Sequence, residues 1–319
     1  MARITFLLPD PARFGAQRLP VASASALGRG TRLRQGVPGR RAQLLRHVDL
    51  PGSGWPVAAL SRQADAGDAG DHRWLLLEPA WLRPDINGVR LMAYGASMCV
   101  DEDDADALLP ALRPLFGDAG MTFDATSQGR WYVRCGSGAT LPEFVDPGDA
   151  LGGDLGEVTQ AIEGDSPHAR RWRTLLSEAQ IVLHNHPRTA DRAARGLPQF
   201  NALWPWGGGS LPPVASGRTM AHAHVLTADA VVRALVAGRA TVGALPDALE
   251  HADSDVLVDL DALRDLALLD DRWLQPALAA LSSGRVASLL LDRGDGHATE
   301  LRRWHRLRAW RRPRPRLGE

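Results

Sequence analysis

The stretch from His184 to Gly209 gathers imidazole, guanidinium, carboxamide and indole side chains and then runs into three glycines. Those groups have the chemistry of an anion pocket. A guanidinium fork holds an oxyanion bidentately, and consecutive glycines let backbone amides close around it. In this reading Arg192 supplies a bidentate contact, His186 and Asn201 orient polar groups of the ligand, Trp204 or Trp206 forms an apolar wall, and Gly207 to Gly209 form a nest of amides. Arg130 and Arg134 add to it, because alternation along Arg130–Cys135 puts both on one face of a strand. The same two arginines read equally well as partners of nearby acids on a solvated face.

The elements that must position these groups follow from local signals. Trp172, Leu175, Leu176, Ala179, Val182 and Leu183 recur at helical spacing, predicting a helix over 168–186 that ends at Pro187. A second, short helix stops at Gly196, and a strand leads into the glycines. Leu108, Leu109, Leu112 and Leu115 mark one face of a helix over 107–116, and the acidic run Asp101 to Asp106 before it is read as carboxylates opposing the helix dipole. Ile4–Leu8 and Trp74–Leu77 read as strands and 15–40 as loop with a short helix at most. Short helices are expected over 41–48 and 57–63. After Met220 strands at 223–226, 255–259 and 287–291 alternate with helices at 228–237 and 274–281, the spacing of βα units around a mostly parallel sheet.

Composition excludes several classes. The 319 residues, 45% apolar and 23% charged, suit a globular chain of two domains or one domain with a large insert. Formal net charge is zero, so no whole-molecule field draws the chain to nucleic acid or anionic membrane. All 37 basic residues are arginine, which removes a Walker A lysine and a Schiff-base lysine. Cys99 and Cys135 lack metal or redox spacing and read as reduced structural thiols. The apolar run after Met1 is too short for a signal segment, and a cytoplasmic protein is expected. Gly28-Arg-Gly-Thr-Arg-Leu33 fails the dinucleotide pattern at its last position. His222 and His224 share a strand face while His184 and His186 diverge by about 200° on a helix, and neither pair has a third ligand at zinc spacing. The tail 301–317, eight arginines with Trp304 and Trp310, is a candidate for docking a regulatory protein partner.

His186, Pro187, Arg192, Gly196, Pro198, Asn201, Gly207 and Gly209 fall in a pattern that resembles the archaeal-type, cofactor-independent phosphoglycerate mutases, with Thr189 where that family has asparagine. Arg83-Pro-Asp85 to Tyr94, the acidic-start helix, Arg130–Arg134 and Asp146-Pro147 extend the likeness over about residues 80–214. The Trp-Gly-Gly-Gly and Gly-Arg-Trp-Tyr stretches look more narrowly like a bacterial family labelled regulatory protein RpfE or phosphoglycerate mutase-like. The resemblance implies an α/β fold with an alkaline-phosphatase-like core, a mostly parallel sheet, over 1–79 and 215–319. An α/β subdomain of substrate type, 80–214, would be inserted into it.

It also implies a nucleophilic Ser or Thr against two divalent cations, which lower the hydroxyl pKa and neutralise phosphoryl oxygens. The core departs from that set. Strand one ends in Pro9-Asp10-Pro11, and the stretch 251–275 offers His251, Asp253, Asp255, Asp259, Asp261 and Asp265 without the Asp-x-x-Gly-His run. The expectation is a pseudoenzyme that binds a small anionic, phosphorylated metabolite, with no metal or cofactor, no nucleic acid and no membrane. The alternatives are an active Mn- or Mg-dependent mutase or phosphatase using Asp10, Asp255 and His297, and an interaction regulator using the arginine-tryptophan tail.

Overall fold

A computed structural model describes residues 2–34, 36–50, 55–86, 88–126, 129–136, 138–151, 154–155, 162, 164–212, 220, 222–249 and 254–319. In chain order the strands are β1 (Ala2–Leu8), β2 (Thr31–Arg34), β3 (Arg73–Asp85), β4 (Gly88–Tyr94), β5 (Thr122–Ala125), β6 (Trp131–Cys135), β7 (Asp154–Leu155) and β8 (Ala202–Gly209). They continue with β9 (His224–Leu226), β10 (Thr241–Gly243), β11 (Val256–Asp259), β12 (Val286–Arg293) and β13 (His297–Arg302). The helices are α1 (Val21–Arg29), α2 (Arg40–Leu45), α3 (Val57–Ala66), α4 (Glu102–Asp118) and α5 (Pro147–Ala150). After them come α6 (Pro167–Asn185), α7 (Pro187–Ala194), α8 (Ala230–Val236), α9 (Leu266–Leu269) and α10 (Gln275–Ser283).

The chain is α/β and divides into two compact units, Met1–Asp49 with Gly217–Glu319, and Leu50–Ser216 between them. The boundary expected at 79/80 falls inside β3. That strand runs unbroken through thirteen residues, so α3 and all of β3 belong to the second unit.

In the first unit the strand order is β10-β9-β11-β1-β12-β13-β2. The first five run parallel, as the βα spacing predicts, and β13 and β2 close the sheet antiparallel. The β2–β13 pair departs from the loop expected over 15–40. β1 is buried almost throughout because its neighbours lie on both sides and its faces are covered. Ile4, Phe6 and Leu8 point into a core shared with Leu27 of α1, Leu274, Ala277 and Leu281 around α10, and Leu317 of the tail. Leu7 points to the other face and is in register with Asp259 of β11 and Asp292 of β12.

The second unit is an antiparallel sheet built on β3, which pairs β4, β6 and β8, with β5 beyond β6 and β7 beyond β4. α4 and α6 bury Leu108, Leu112, Phe116, Trp172, Leu176 and Leu183 against Leu75, Leu77, Trp131 and Val133. α4 opens with a capping box: the Asp101 carboxylate accepts from the Asp104 amide at 2.8 Å, and the Asp104 carboxylate accepts from the Asp101 amide at 3.2 Å.

Candidate functional site

The segment singled out by its chemistry is placed in the second unit as α6, α7 and β8. His186 joins the two helices, and its Nδ1 accepts from the Arg188 amide at 3.2 Å as the N-cap of α7. Arg188 and Arg192, one turn apart on α7, both reach Asp104. Arg188 Nε donates at 2.6 Å, and Arg192 Nη1 forms a close ion pair with the same carboxylate. Arg192 is fully buried. Its Nε donates to the Pro198 carbonyl at 3.0 Å, Nη1 also faces the Cys99 carbonyl, Nη2 donates to the Met98 carbonyl, and its plane lies 3.9 Å over Phe200. Every nitrogen of the guanidinium is engaged by the chain, which corrects the expectation of a ligand fork.

The other residues of the segment are used the same way. Asn201 accepts from the Leu82 amide at 2.8 Å and donates to the Leu82 carbonyl at 2.7 Å, so its carboxamide stands in for a strand partner. Trp206 donates to Glu78 at 2.9 Å and Trp204 to the Val145 carbonyl at 2.9 Å, both buried. Gly207 has φ +69°, and a Cβ there would come within 3.1 Å of Val57; one at Gly209 would meet Pro56 at 2.7 Å. The start of α3 therefore packs against the side-chain face of these glycines, which accounts for their lack of a Cβ by close packing. Arg130 precedes β6 and pairs with Asp65, which also accepts from Tyr132 at 2.7 Å. Burial, and then the hydrogen bond to Asp65, push the Tyr132 phenol well above its usual pKa. Arg134 is exposed and donates to Thr122 at 3.3 Å. The structure thus joins Arg192, with Arg188, to Asp104, uses His186 as the cap of α7, and leaves Arg130 and Arg134 with separate partners.

In the first unit the carboxyl ends of β9, β11, β1 and β12 are the place where open parallel sheets hold ligands. α2 lies over them with Arg40 and Gln43 and, in the following turn, Arg46 and His47 directed at them. The Arg40 guanidinium donates to both oxygens of Asp259 at 2.8 Å and lies 3.6 Å from Asp229 and 4.0 Å from Asp261. Burial works to lower its pKa, but the three carboxylates outweigh burial and hold it above the ordinary arginine value. Asp259 also accepts from Thr227 at 2.7 Å. Gln43 bridges the strand ends by donating to the carbonyls of Leu8 and Asp292. The fully buried Asp292 carboxylate accepts a fork from Arg46, at 2.7 and 3.1 Å, and lies 2.6 Å from His47 Nε2.

A divalent pair does not fit these residues. Asp259 accepts from Arg40, Asp292 accepts from Arg46 and faces His47, and the Arg40 guanidinium stands among Asp229, Asp259 and Asp261 where a cation would sit. Among the described residues no group of three His, Cys, Asp or Glu side chains is arranged to hold a metal ion. The alternative set Asp10, Asp255 and His297 does not converge either. Asp255 pairs with Arg3 at the amino end of β11, whereas Asp10 follows β1 at the carboxyl end, seven residues or roughly 20 Å further along the sheet. His251 and Asp253 lie outside the described residues.

Part of the sequence matches a mutase. Over 72 residues, 23% of this chain, it is 36% identical to a probable 2,3-bisphosphoglycerate-independent phosphoglycerate mutase of Geobacter sulfurreducens, and the match spans 17% of that protein. No family model matches the chain. Among solved structures, the cofactor-independent phosphoglycerate mutase of Thermoplasma acidophilum aligns over 94% of this chain and 89% of its own, with 16% identity and a TM-score of 0.39. A protein of Pyrococcus horikoshii aligns over 94% and 86%, with 12% identity and a TM-score of 0.41.

Each unit also has a cavity that the motifs did not point to. In the second, about 250 Å³ opens beside Met121, Gly136, Thr140, His168, Arg171 and Trp172. In the first, about 350 Å³ lies beside Ala26, Arg29, Leu278, Leu281, Arg302 and Arg306. The tail is not a loose end: Arg314 donates its amide to the Ala24 carbonyl, Pro315 accepts from Leu19, and Leu317 is buried. Trp304, Leu307 and Trp310 remain exposed on it. His222 pairs with His47, their facing nitrogens 3.4 Å apart, rather than with His224. Burial, and then the charge of His47, pull the His222 pKa down to about 4. No described helix is long and apolar enough to cross a membrane.

Proposed function

We propose that this chain is a non-catalytic relative of the phosphoglycerate mutases, allied to the bacterial RpfE-type proteins. It would act in the cytoplasm as a ligand-binding or regulatory protein for a small phosphorylated anion. One observation carries the reading: Arg40 occupies the centre of the Asp229, Asp259 and Asp261 carboxylates at the carboxyl end of the parallel sheet. A guanidinium neutralises these acids but offers no open coordination position, so it cannot activate a hydroxyl as a Lewis acid does. The test is conversion of 3-phosphoglycerate, and hydrolysis of a simple phosphomonoester, by folded protein in excess Mn. No turnover is expected, and Mn-dependent turnover abolished by Asp259→Asn would overturn the reading.

The exposed Trp304, Leu307 and Trp310 favour a second reading, a regulator that docks a protein partner through this face. Because the tail is packed into the first unit, the appropriate variant is Trp304→Ser with Trp310→Ser rather than truncation. Loss of partner capture in the double variant, with an unchanged melting temperature, is the expected result.

A further inference from the structure

On the opposite face of the first sheet from Arg40 lies a second group of arginines with a different balance of charge. Arg293 ends β12 and is 1% exposed. Its Nη1 donates to the Thr299 hydroxyl at 3.0 Å, and its Nε meets Asp295 only at 3.4 Å. Its Nη2 is buried without a hydrogen-bond partner among the described residues. A guanidinium nitrogen shut away from water and left unmatched is costly, and a native structure rarely tolerates one without an occupant.

The surroundings bring further positive charge beside the Asp295 carboxylate. Thr299 on β13 is the register partner of Arg32 on β2, so Arg32 and the Thr299 hydroxyl share the face that Arg293 reaches across. The tail is fixed to α1 through the Arg314 amide, and the Arg314 side chain lies within electrostatic range of Arg32, Arg311 and Arg293. The charges feel one another: burial, then Arg32, Arg311 and Arg293, lower the pKa of Arg314, whereas burial lowers that of Arg293 against the opposing pull of Asp295, with Arg32 adding a smaller push. Asp295 is the carboxylate within hydrogen-bond reach of Arg293, and it is shared with the His297 amide. Arg293 and Thr299 are buried, whereas Arg314 is half-buried and Arg32 and Arg311 reach solvent.

We propose that Arg293, Thr299, Arg32 and Arg314 form a site for a tetrahedral oxyanion of the phosphate class. The buried Nη2 would donate to one oxygen, the Thr299 hydroxyl would stand beside it, and the two outer guanidinia would close on the remaining oxygens. A multiply charged anion satisfies the orphaned donor and offsets the repulsion among the arginines in one step. The inference rests on the reading above only for the class of ligand; it is independent of whether the carboxyl end of the sheet supports turnover.

The experiment uses the full chain and inorganic phosphate. Melting temperature and isothermal titration are recorded against phosphate, with chloride at matched ionic strength as the comparison. Phosphate is expected to bind with a stoichiometry near one and to raise the melting temperature beyond chloride. Arg293→Gln should abolish the response and Arg314→Ala should weaken binding about tenfold, the loss of one charge-assisted bond. Arg306→Ala, on the same tail, should leave it unchanged. Arg314→Ala keeps the proposal falsifiable should Arg293→Gln fold poorly, because its backbone amide and the buried Leu317 hold the tail without it. A wild-type response no larger than chloride, or an Arg314→Ala response equal to wild type, overturns the site.

Discussion

Arg192 in the second unit and Arg293 in the first are both buried to 1% exposure or less, yet they stand in opposite environments. Arg192 meets a carboxylate, three carbonyls and an aromatic face. Arg293 meets a hydroxyl and a carboxylate at the long distance of 3.4 Å, and one of its nitrogens has no hydrogen-bond partner among the described residues. Burial alone therefore does not distinguish a structural arginine from a binding one. What distinguishes them is whether the chain itself completes the hydrogen bonds.

Removing the two cations should carry very different costs. Arg192→Ala strips Asp104 of its buried partner and leaves three carbonyls short of donors, so chemical denaturation should show a loss of about 3–5 kcal/mol. A loss under about 1 kcal/mol would show that the pair is not holding α7 to α4. The next effect is set by pH. His222 is held neutral with a folded pKa of about 4, while the unfolded chain titrates near 6.5, so the unfolded state binds more protons between those values. Stability should fall as pH drops through that window, by about 3 kcal/mol at most, and His222→Phe should flatten the slope. His47, Asp255 and Arg3 also act on His222, and an unchanged slope in the variant would show that His222 does not carry the effect.

A smaller cost is expected at the glycines. Gly207→Ala combines a left-handed backbone with a Cβ against Val57 and should cost about 1–3 kcal/mol, with no effect on phosphate binding. If phosphate binding disappeared without loss of stability, the glycines would have to be returned to a ligand site. The smallest change in stability is expected for Arg293→Met in phosphate-free buffer. Replacing a poorly paired buried cation with an apolar chain of similar length is close to neutral or stabilising. A loss as large as that for Arg192→Ala would erase the distinction between the two.

Much of the architecture was legible because it rests on local signals. The apolar spacing of α6, Pro187, Gly196 and the acidic start of α4 each marked an element close to where it lies. The role of Arg192 was not legible, because its partner Asp104 sits 88 residues away and its burial is decided by three carbonyls that no side-chain pattern reveals. The β2–β13 pair was hidden for a related reason: Thr31-Arg-Leu-Arg34 has no run of apolar residues and becomes a strand only when β13 offers it an edge. Arg40, Arg46 and Arg293 carried no motif at all. A signal that could have found them is the excess of Asp at the ends of β11 and β12, which asks for cations from elsewhere in a chain with no lysine.

The guanidinium of Arg40 among its three carboxylates has a consequence for how such a protein lives in a cell. A metal ion there would have a dissociation constant, would compete with other ions, and would come and go with supply. A cation tethered by the backbone has none of these properties. It is present as soon as the chain folds, no chelator removes it, and its loss takes a change of codon.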